Sequence, residues 1–213
     1  MYTKMKSLKG IYAVTDEVLT PKSTIVKQVE EALEAGAKVI QLRDKSSTDD
    51  ELEPIAKSLQ ALCDQKNATF FINDRVQLAK KIGADGVHVG FSDQTVKETR
   101  EEVGEKMLIG VSCYGDIERA KQAVKDGADY VAFGAFYPSK TKPKADVVSK
   151  EVISKAKAEL NVPVCVIGGI NRKNINEIVD FQPDLYALVS DIFESESIKQ
   201  TVTELNELIS KSE

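Results

Sequence analysis

The chain alternates from end to end between short β-like runs and periodic, charged segments. The runs are Gly10–Thr15, Lys38–Leu42, Thr69–Asn73, Gly86–Val89, Met107–Ser112, Tyr130–Gly134, Pro163–Ile167 and Leu185–Ser190. Between them lie segments with helical spacing, such as Thr24–Ala35, Asp49–Gln65, Arg75–Ile82, Asp116–Asp126 and Asn174–Phe181, and Ser197–Ser210 closes the chain as a last helix. Eight strands, each followed by a helix, is the count of a (β/α)8 barrel. The expected fold is therefore α/β, a TIM barrel, with residues 1–213 as one domain. No linker or low-complexity stretch divides the chain.

A weak internal repeat supports the same reading. Gly36-Ala37-Lys38-Val39, Gly83-Ala84-Asp85-Gly86-Val87 and Gly127-Ala128-Asp129-Tyr130-Val131 recur at a spacing of two βα units. Each Gly suits the residue just after a helix, where a left-handed conformation turns the chain into the next strand. These glycines mark the even strands. The fourth even strand departs, with Gln182-Pro183-Asp184 in the corresponding place. The rival architecture, a doubly wound open sheet, normally has fewer strands and a topological break, and no break is marked here.

Composition narrows the function classes. A chain of 213 residues that is 42% hydrophobic and 30% charged can bury a sizeable core. A net charge of −5 argues against a general nucleic-acid or acidic-membrane binder, so any cationic site must be local. No apolar run is long enough to span a bilayer, and Met1–Lys9 has no signal-peptide core, so a cytoplasmic protein is expected. Cys63, Cys113 and Cys165 are far apart and lack CxxC spacing. With one His in the chain they read as small buried residues rather than zinc ligands.

In a barrel, function sits at the C-terminal ends of the strands. Two runs end there in a knot of charge, Gln41-Leu42-Arg43-Asp44-Lys45 and Phe71-Ile72-Asn73-Asp74-Arg75. Side chains at i and i+2 of a strand share a face, so Arg43 and Lys45 can both aim at one anion. Asp74 can hold a divalent cation that binds the same anion. With Asp93, which follows strand 4, it could hold Mg²⁺ against a diphosphate, waters completing the octahedron. Strand 5 ends in Ser112, and strand 6 is followed by Pro138-Ser139-Lys140-Thr141-Lys142. Strand 7 ends in Gly168-Gly169 and strand 8 in Val189-Ser190. The Gly-Gly pair lets backbone N–H groups approach a ligand, and Ile170-Asn171 opens the next helix. The loops after strands 7 and 8 are a frequent monophosphate site in this fold. One ligand would carry a diphosphate and the other a monophosphate.

Each feature has a plainer reading. Gly168-Gly169 could be a turn, Arg43–Lys45 a solvated surface, Asn73-Asp74 an N-cap, and Lys140 and Lys142 exposed loop charge. His88, inside a strand, reads as a satisfied structural histidine rather than a general base. The conjunction at one end of one barrel favours a site.

In order along the chain, these residues resemble thiamine phosphate synthase. The resemblance is carried by Tyr12–Asp16, Gln41–Lys45, Ile72–Arg75, Gly83–Gly90, Ile109–Ser112, the Tyr137–Lys142 loop, Ile167–Ile170 and Val189-Ser190. It implies a transferase that joins an aminopyrimidine diphosphate to a thiazole monophosphate and releases pyrophosphate, with magnesium. It implies that Gln41, Arg43, Lys45 and Asn73, with the adjoining Leu42 and Asp44, bind the pyrimidine diphosphate. Asp74 and Asp93 would be the Mg²⁺ ligands. Ser112 and Lys142 would hold the pyrophosphate as it leaves. Ser139, Lys140, Thr141, Gly169, Val189 and Ser190 would bind the thiazole phosphate. Arg43, Lys45, Ser112 and Lys142 are thus the expected catalytic set. The implied partners are small-molecule substrates, not nucleic acid or membrane, with a homo-oligomer left open.

The chain departs from the family pattern at several points. Phe91 stands where Gln is usual, Ser139 where Thr is usual, and Ala135 where Pro is usual. Tyr186 and Asp191 stand where small residues are usual, and an inward Asp191 would repel a monophosphate. Two rival functions stay open on the sequence alone. A thiazole tautomerase-like isomerase would use a His shortly after the strand 5 motif, where this chain has Cys113-Tyr114. A non-catalytic barrel binding a phosphorylated ligand is motivated by the strand 8 departures. A sugar-phosphate epimerase would need acid/base pairs across the strands that are not seen.

Overall fold

A computed structural model describes residues 6, 8–90, 94–138 and 146–211. The strands are β1 (Gly10–Val14), β2 (Val39–Leu42), β3 (Thr69–Asn73), β4 (Gly86–Val89), β5 (Leu108–Tyr114), β6 (Tyr130–Phe133), β7 (Val164–Val166) and β8 (Leu185–Leu188). The helices are α1 (Ile25–Glu34), α2 (Asp49–Gln65), α3 (Val76–Ile82), α4 (Val96–Val103), α5 (Ile117–Lys125), α6 (Glu151–Glu159), α7 (Asn176–Val179), α8 (Ser190–Phe193) and α9 (Ile198–Ser210). The strands pair in parallel in chain order, and β1 closes on β8, giving the expected (β/α)8 barrel.

Side-chain chemistry explains the helix starts. Thr48 and Thr95 open α2 and α4 with capping boxes completed by Glu51 and Glu98. Asp116 and Ser197 accept backbone N–H groups at the starts of α5 and α9.

The repeat at the even strands has a physical basis. Gly36, Gly83 and Gly127 have φ of 103°, 68° and 102°, and Gln182 takes the same left-handed region at 52°. The Asp two residues after the second glycine and its equivalents then close the floor of the barrel. Asp85 Oδ2 accepts the N–H of Phe70 at 2.9 Å, Asp129 Oδ2 that of Ile109 at 2.7 Å, and Asp184 Oδ2 that of Val164 at 2.8 Å. Each carboxylate also pairs with a cation, Lys6, Arg100 and Lys157 respectively. The departure at Gln182-Pro183-Asp184 therefore keeps the carboxylate that matters.

Two apolar layers result. One lies between strands and helices. The other fills the barrel, with Tyr12, Phe71, Tyr130 and Leu185 at its centre. Tyr130 meets both Phe71 and Tyr12 edge-on, at 5.3 and 6.1 Å between centroids. Glycines make the room: a Cβ on Gly86 would lie 2.3 Å from the Phe71 ring, and one on Gly110 2.1 Å from the Tyr130 ring. Cys63, Cys113 and Cys165 are unpaired and buried, as expected.

Several boundaries differ from expectation. β8 ends at Leu188, and Ser190 begins α8 instead of ending the strand. β5 runs on to Tyr114, with a register shift against β6 between Ser112 and Tyr114. The helix expected over Asn174–Phe181 shrinks to four residues, because Asn171 and Asn174 bond the local backbone instead. Asn171 Oδ1 accepts the N–H of Lys173, Asn174 Oδ1 accepts that of Asn171, and both amides donate to the Gly169 carbonyl.

Candidate active site

The C-terminal ends of the strands open on a cavity of about 220 Å³. Of the expected site residues, Gln41, Arg43, Lys45, Asn73, Asp74, Ser112, Gly169, Val189 and Ser190 line it. Asp93, Ser139, Lys140, Thr141 and Lys142 lie outside the described residues, as does Phe91. Leu42 and Asp44 are not brought into the cavity. Strand alternation turns Leu42 outward, buried against the helical layer. The Asp44 carboxylate is spent on its own loop, accepting the N–H and hydroxyl of both Ser46 and Ser47 at 2.7–2.9 Å. Burial alone would raise its pKa, but these bonds, those from Ser47 foremost, hold it below the usual carboxylate range.

The two cations lie just past β2, on a loop whose shape is locked. Thr15 Oγ1 accepts the Arg43 N–H at 2.9 Å. The Arg75 guanidinium donates to the carbonyls of Asp44 (3.0 Å) and Ser47 (2.6 Å) and pairs with Asp49. Arg43 is flanked by Glu17 (3.4 Å) and Asp16 (3.7 Å), and Lys45 Nζ lies 3.3 Å from Asp74 Oδ2. Asp74 sits in the left-handed region at φ 61°, two residues before the start of α3.

The opposite wall is backbone. Gly168 and Gly169 have φ of 99° and 68°, and a Cβ on Gly169 would lie 2.6 Å from the Tyr137 carbonyl oxygen. Only glycine lets the β7 loop approach the β6 loop this closely. Val189 caps α8, so the first-turn N–H groups there lack intrahelical partners. Asp191 does not line this cavity. Its carboxylate accepts the Arg172 N–H and faces the Arg172 guanidinium. Tyr186 is buried between the barrel and the helices, where its size fills the outer layer.

The cavity floor holds residues that the strand ends alone do not single out: Tyr12, His88 and Cys165, with Tyr130 beneath them. His88 is bonded at both ring nitrogens, to the Tyr130 hydroxyl (2.7 Å) and to Ser112 Oγ (2.9 Å). It is thus satisfied, as expected of a structural histidine, but it also meets the site. Burial pushes the Tyr12 and Tyr130 phenols up and keeps them neutral. The signal in the sequence was period two: Tyr12, Gln41, His88 and Ser112 fall on the inward face of their strands.

As for a metal, Asp74 is an oxygen donor at the cavity beside the Lys45 cation, with Arg43 on the same lining, which suits a hard ion held together with a phosphate. Among the described residues no cluster of three acidic, His or Cys groups forms a closed cage. An open site completed by substrate and water fits this donor set.

Fold and cavity define the class: a (β/α)8 barrel with a charged cleft at the strand ends, where such barrels carry their active sites. The family model described as thiamine monophosphate synthase matches residues 11–192, and the chain belongs to that family. It is 40% identical over 193 residues to the thiamine-phosphate synthase of Nitrosococcus oceani, covering 91% of this chain and 89% of that protein. It is 42% identical over 184 residues to that of Marinobacter nauticus, covering 86% of this chain and 82% of that protein. The solved structure of thiamine phosphate pyrophosphorylase from Pyrococcus furiosus superposes with a TM-score of 0.88 at 33% identity, covering 98% of this chain and 99% of that one.

Proposed function

We propose that this chain catalyses the family's reaction in the cleft described above: 4-amino-2-methyl-5-hydroxymethylpyrimidine diphosphate and 4-methyl-5-(2-hydroxyethyl)thiazole phosphate give thiamine monophosphate and pyrophosphate. The observation that carries this assignment is the convergence of Arg43, Lys45, Asn73, Asp74 and Ser112 on one side of a cavity whose other side is Gly169, Val189 and Ser190. One side suits a diphosphate and the other a monophosphate.

The demanding event is breaking a C–O bond to diphosphate. The pyrimidine amino group feeds electrons to the exocyclic carbon, so a carbocation-like state is accessible. The protein then has to stabilise the leaving anion and hold the thiazole nitrogen in line. Arg43 and Lys45 bind the diphosphate, and Ser112 and Lys142 receive it as it departs. Gln41 and Asn73 orient the pyrimidine half. Asp74 and Asp93 would hold Mg²⁺, which supplies positive charge against the developing pyrophosphate. Gly169, Val189 and Ser190, with Ser139, Lys140 and Thr141, fix the thiazole phosphate. No protein nucleophile is required.

The rivals lose their motives. Cys113-Tyr114 supply no imidazole for the isomerase reading. Asp191, whose charge suggested a silent binding barrel, is turned to Arg172. No helix among the described residues is long and apolar enough to cross a membrane. We assign a cytoplasmic location and small-molecule partners. The test is product formation: thiamine monophosphate and pyrophosphate should appear in equal amounts, with Mg²⁺, only when both substrates are present. Absence of both products from folded protein would contradict the assignment.

A further inference from the structure

Five side chains from five places in the barrel form an unbroken hydrogen-bonded chain through its core. Gln41 Nε2 donates to the Tyr12 hydroxyl at 2.7 Å. The Tyr12 and Tyr130 hydroxyls are 2.9 Å apart, and the Tyr130 hydroxyl is 2.7 Å from His88 Nδ1. His88 Nε2 is 2.9 Å from Ser112 Oγ. Tyr12, Tyr130, Gln41 and His88 are all buried. The two ends, Gln41 and Ser112, both line the cavity.

Proton counting fixes the direction of such a chain. A phenol has one proton to donate, and a neutral imidazole has one. With Gln41 donating to Tyr12, the Tyr12 proton goes to the Tyr130 oxygen. The Tyr130 proton then goes to His88 Nδ1, so the imidazole carries its own proton on Nε2 and donates it to Ser112 Oγ. The Ser112 hydroxyl proton is left for the cavity. Turning the Gln41 amide over reverses every link. Tyr12 would then donate to Gln41, His88 would carry its proton on Nδ1, and the Ser112 proton would be consumed by His88 Nε2. Intermediate arrangements place two protons or none in one link, and in a low-dielectric core each such defect is costly.

We infer that Gln41, Tyr12, Tyr130, His88 and Ser112 are a directional relay that couples recognition of the heterocycle at one end to the donor state of Ser112 at the other. Tyr12, Tyr130 and His88 act as positioning residues, holding the Ser112 hydroxyl as a donor toward the departing diphosphate. With one amide N–H committed to Tyr12, Gln41 offers its oxygen and second N–H, a donor–acceptor pair matched to an amino group beside a ring nitrogen. Binding such an edge holds the amide in the orientation it already has, and with it the direction of the chain through to Ser112. The link to a departing diphosphate rests on the function proposed above. The tautomer of His88 does not.

The experiment exploits the single histidine of this chain. In full-length protein labelled with ¹⁵N, two ring nitrogens report the tautomer directly by long-range ¹H–¹⁵N correlation. The relay requires a neutral ring protonated on Nε2, in wild type alone and with Mg²⁺ and pyrophosphate. A ring protonated on Nδ1, neutral or charged, would overturn the proposal without any variant. Gln41→Glu, read at a pH high enough to ionise this buried carboxyl so that it only accepts, should flip the ring to the Nδ1–H form. Retention of Nε2–H in the folded variant would also count against the relay. Tyr130→Phe cuts the chain while keeping the ring. It should mix the two tautomers and slow pyrophosphate release about tenfold, the worth of one hydrogen bond, with the KM for the thiazole phosphate unchanged. Wild type that shows the Nε2–H tautomer but releases no pyrophosphate would overturn the synthase reading while leaving the relay standing.

Discussion

Asp191 and Arg172 hold each other away from the cavity: the carboxylate accepts the Arg172 backbone N–H at 3.0 Å and lies 3.3 Å from the guanidinium Nε. An acid next to a monophosphate site would weaken it, yet this one is already committed. Asp191→Ala should therefore leave the rate of thiamine monophosphate formation within about twofold, as for other substitutions that touch no substrate. It should lower unfolding stability by about 1–2 kcal/mol, the cost of a lost charge-assisted bond. Chemical denaturation and steady-state kinetics check both, and a large gain or loss of thiazole phosphate affinity would contradict the placement.

Arg75 touches no cavity atom, but it clamps the loop that carries Lys45 through the Asp44 and Ser47 carbonyls. Arg75→Leu should cost about 2 kcal/mol of stability. It should also raise KM for the pyrimidine diphosphate by about tenfold, because a displaced cation binds less well, while kcat changes less. Kinetics on folded variant with an unchanged KM would show that the loop holds its shape without the clamp.

Gly110 exists to admit the Tyr130 ring. Gly110→Ala places a methyl 2.1 Å from that fully buried ring, which must shift to admit it. The expected cost is at least about 1–3 kcal/mol, read from the denaturant midpoint, with loss of activity as the floor of the site deforms.

Stability should respond to acid through the capping box of α2. Bonds from the Thr48 backbone, then from Lys22 and the Thr48 hydroxyl, lower the Glu51 pKa from 4.5 to about 2. The folded state thus binds this proton less readily than the unfolded chain. The contribution is fully present above the unfolded value of 4.5 and is lost as pH falls toward about 2. Glu51→Gln should lower Tm near neutral pH and converge on wild type at the acid end of that window. Parallel Tm curves across it would contradict this.

Much of the fold was legible because a barrel writes its period into the chain. Strand after strand carries an apolar run with a chemical group at its end, and the Gly-Ala-Asp repeat marks where helices return to the sheet floor. Arg43, Lys45, Asn73, Asp74 and Ser112 could be read as a site because charge at the end of a buried strand is costly to keep unless a ligand or a counter-charge meets it. Leu42 and Asp44 were drawn in by adjacency alone. The pleat turns Leu42 outward, and Asp44 closes its own loop with Ser46 and Ser47. The helix after β7 was overestimated because two asparagine side chains compete with helical bonds there. The Tyr12–Tyr130–His88 core was not legible as a unit. Its members lie far apart in sequence, on β1, β6 and β4, and only barrel closure brings them within hydrogen-bond reach.

The most direct measurement of the central claim is pyrophosphate release from both substrates, with and without Mg²⁺, for wild type, Asp74→Ala and Arg43→Met. Wild type should release pyrophosphate only with both substrates and Mg²⁺. Asp74→Ala and Arg43→Met, folded by circular dichroism, should each fall by at least about a hundredfold, as expected when charge on a leaving group goes unmatched. Undiminished, metal-independent release by either variant, or no release by folded wild type, would contradict the account.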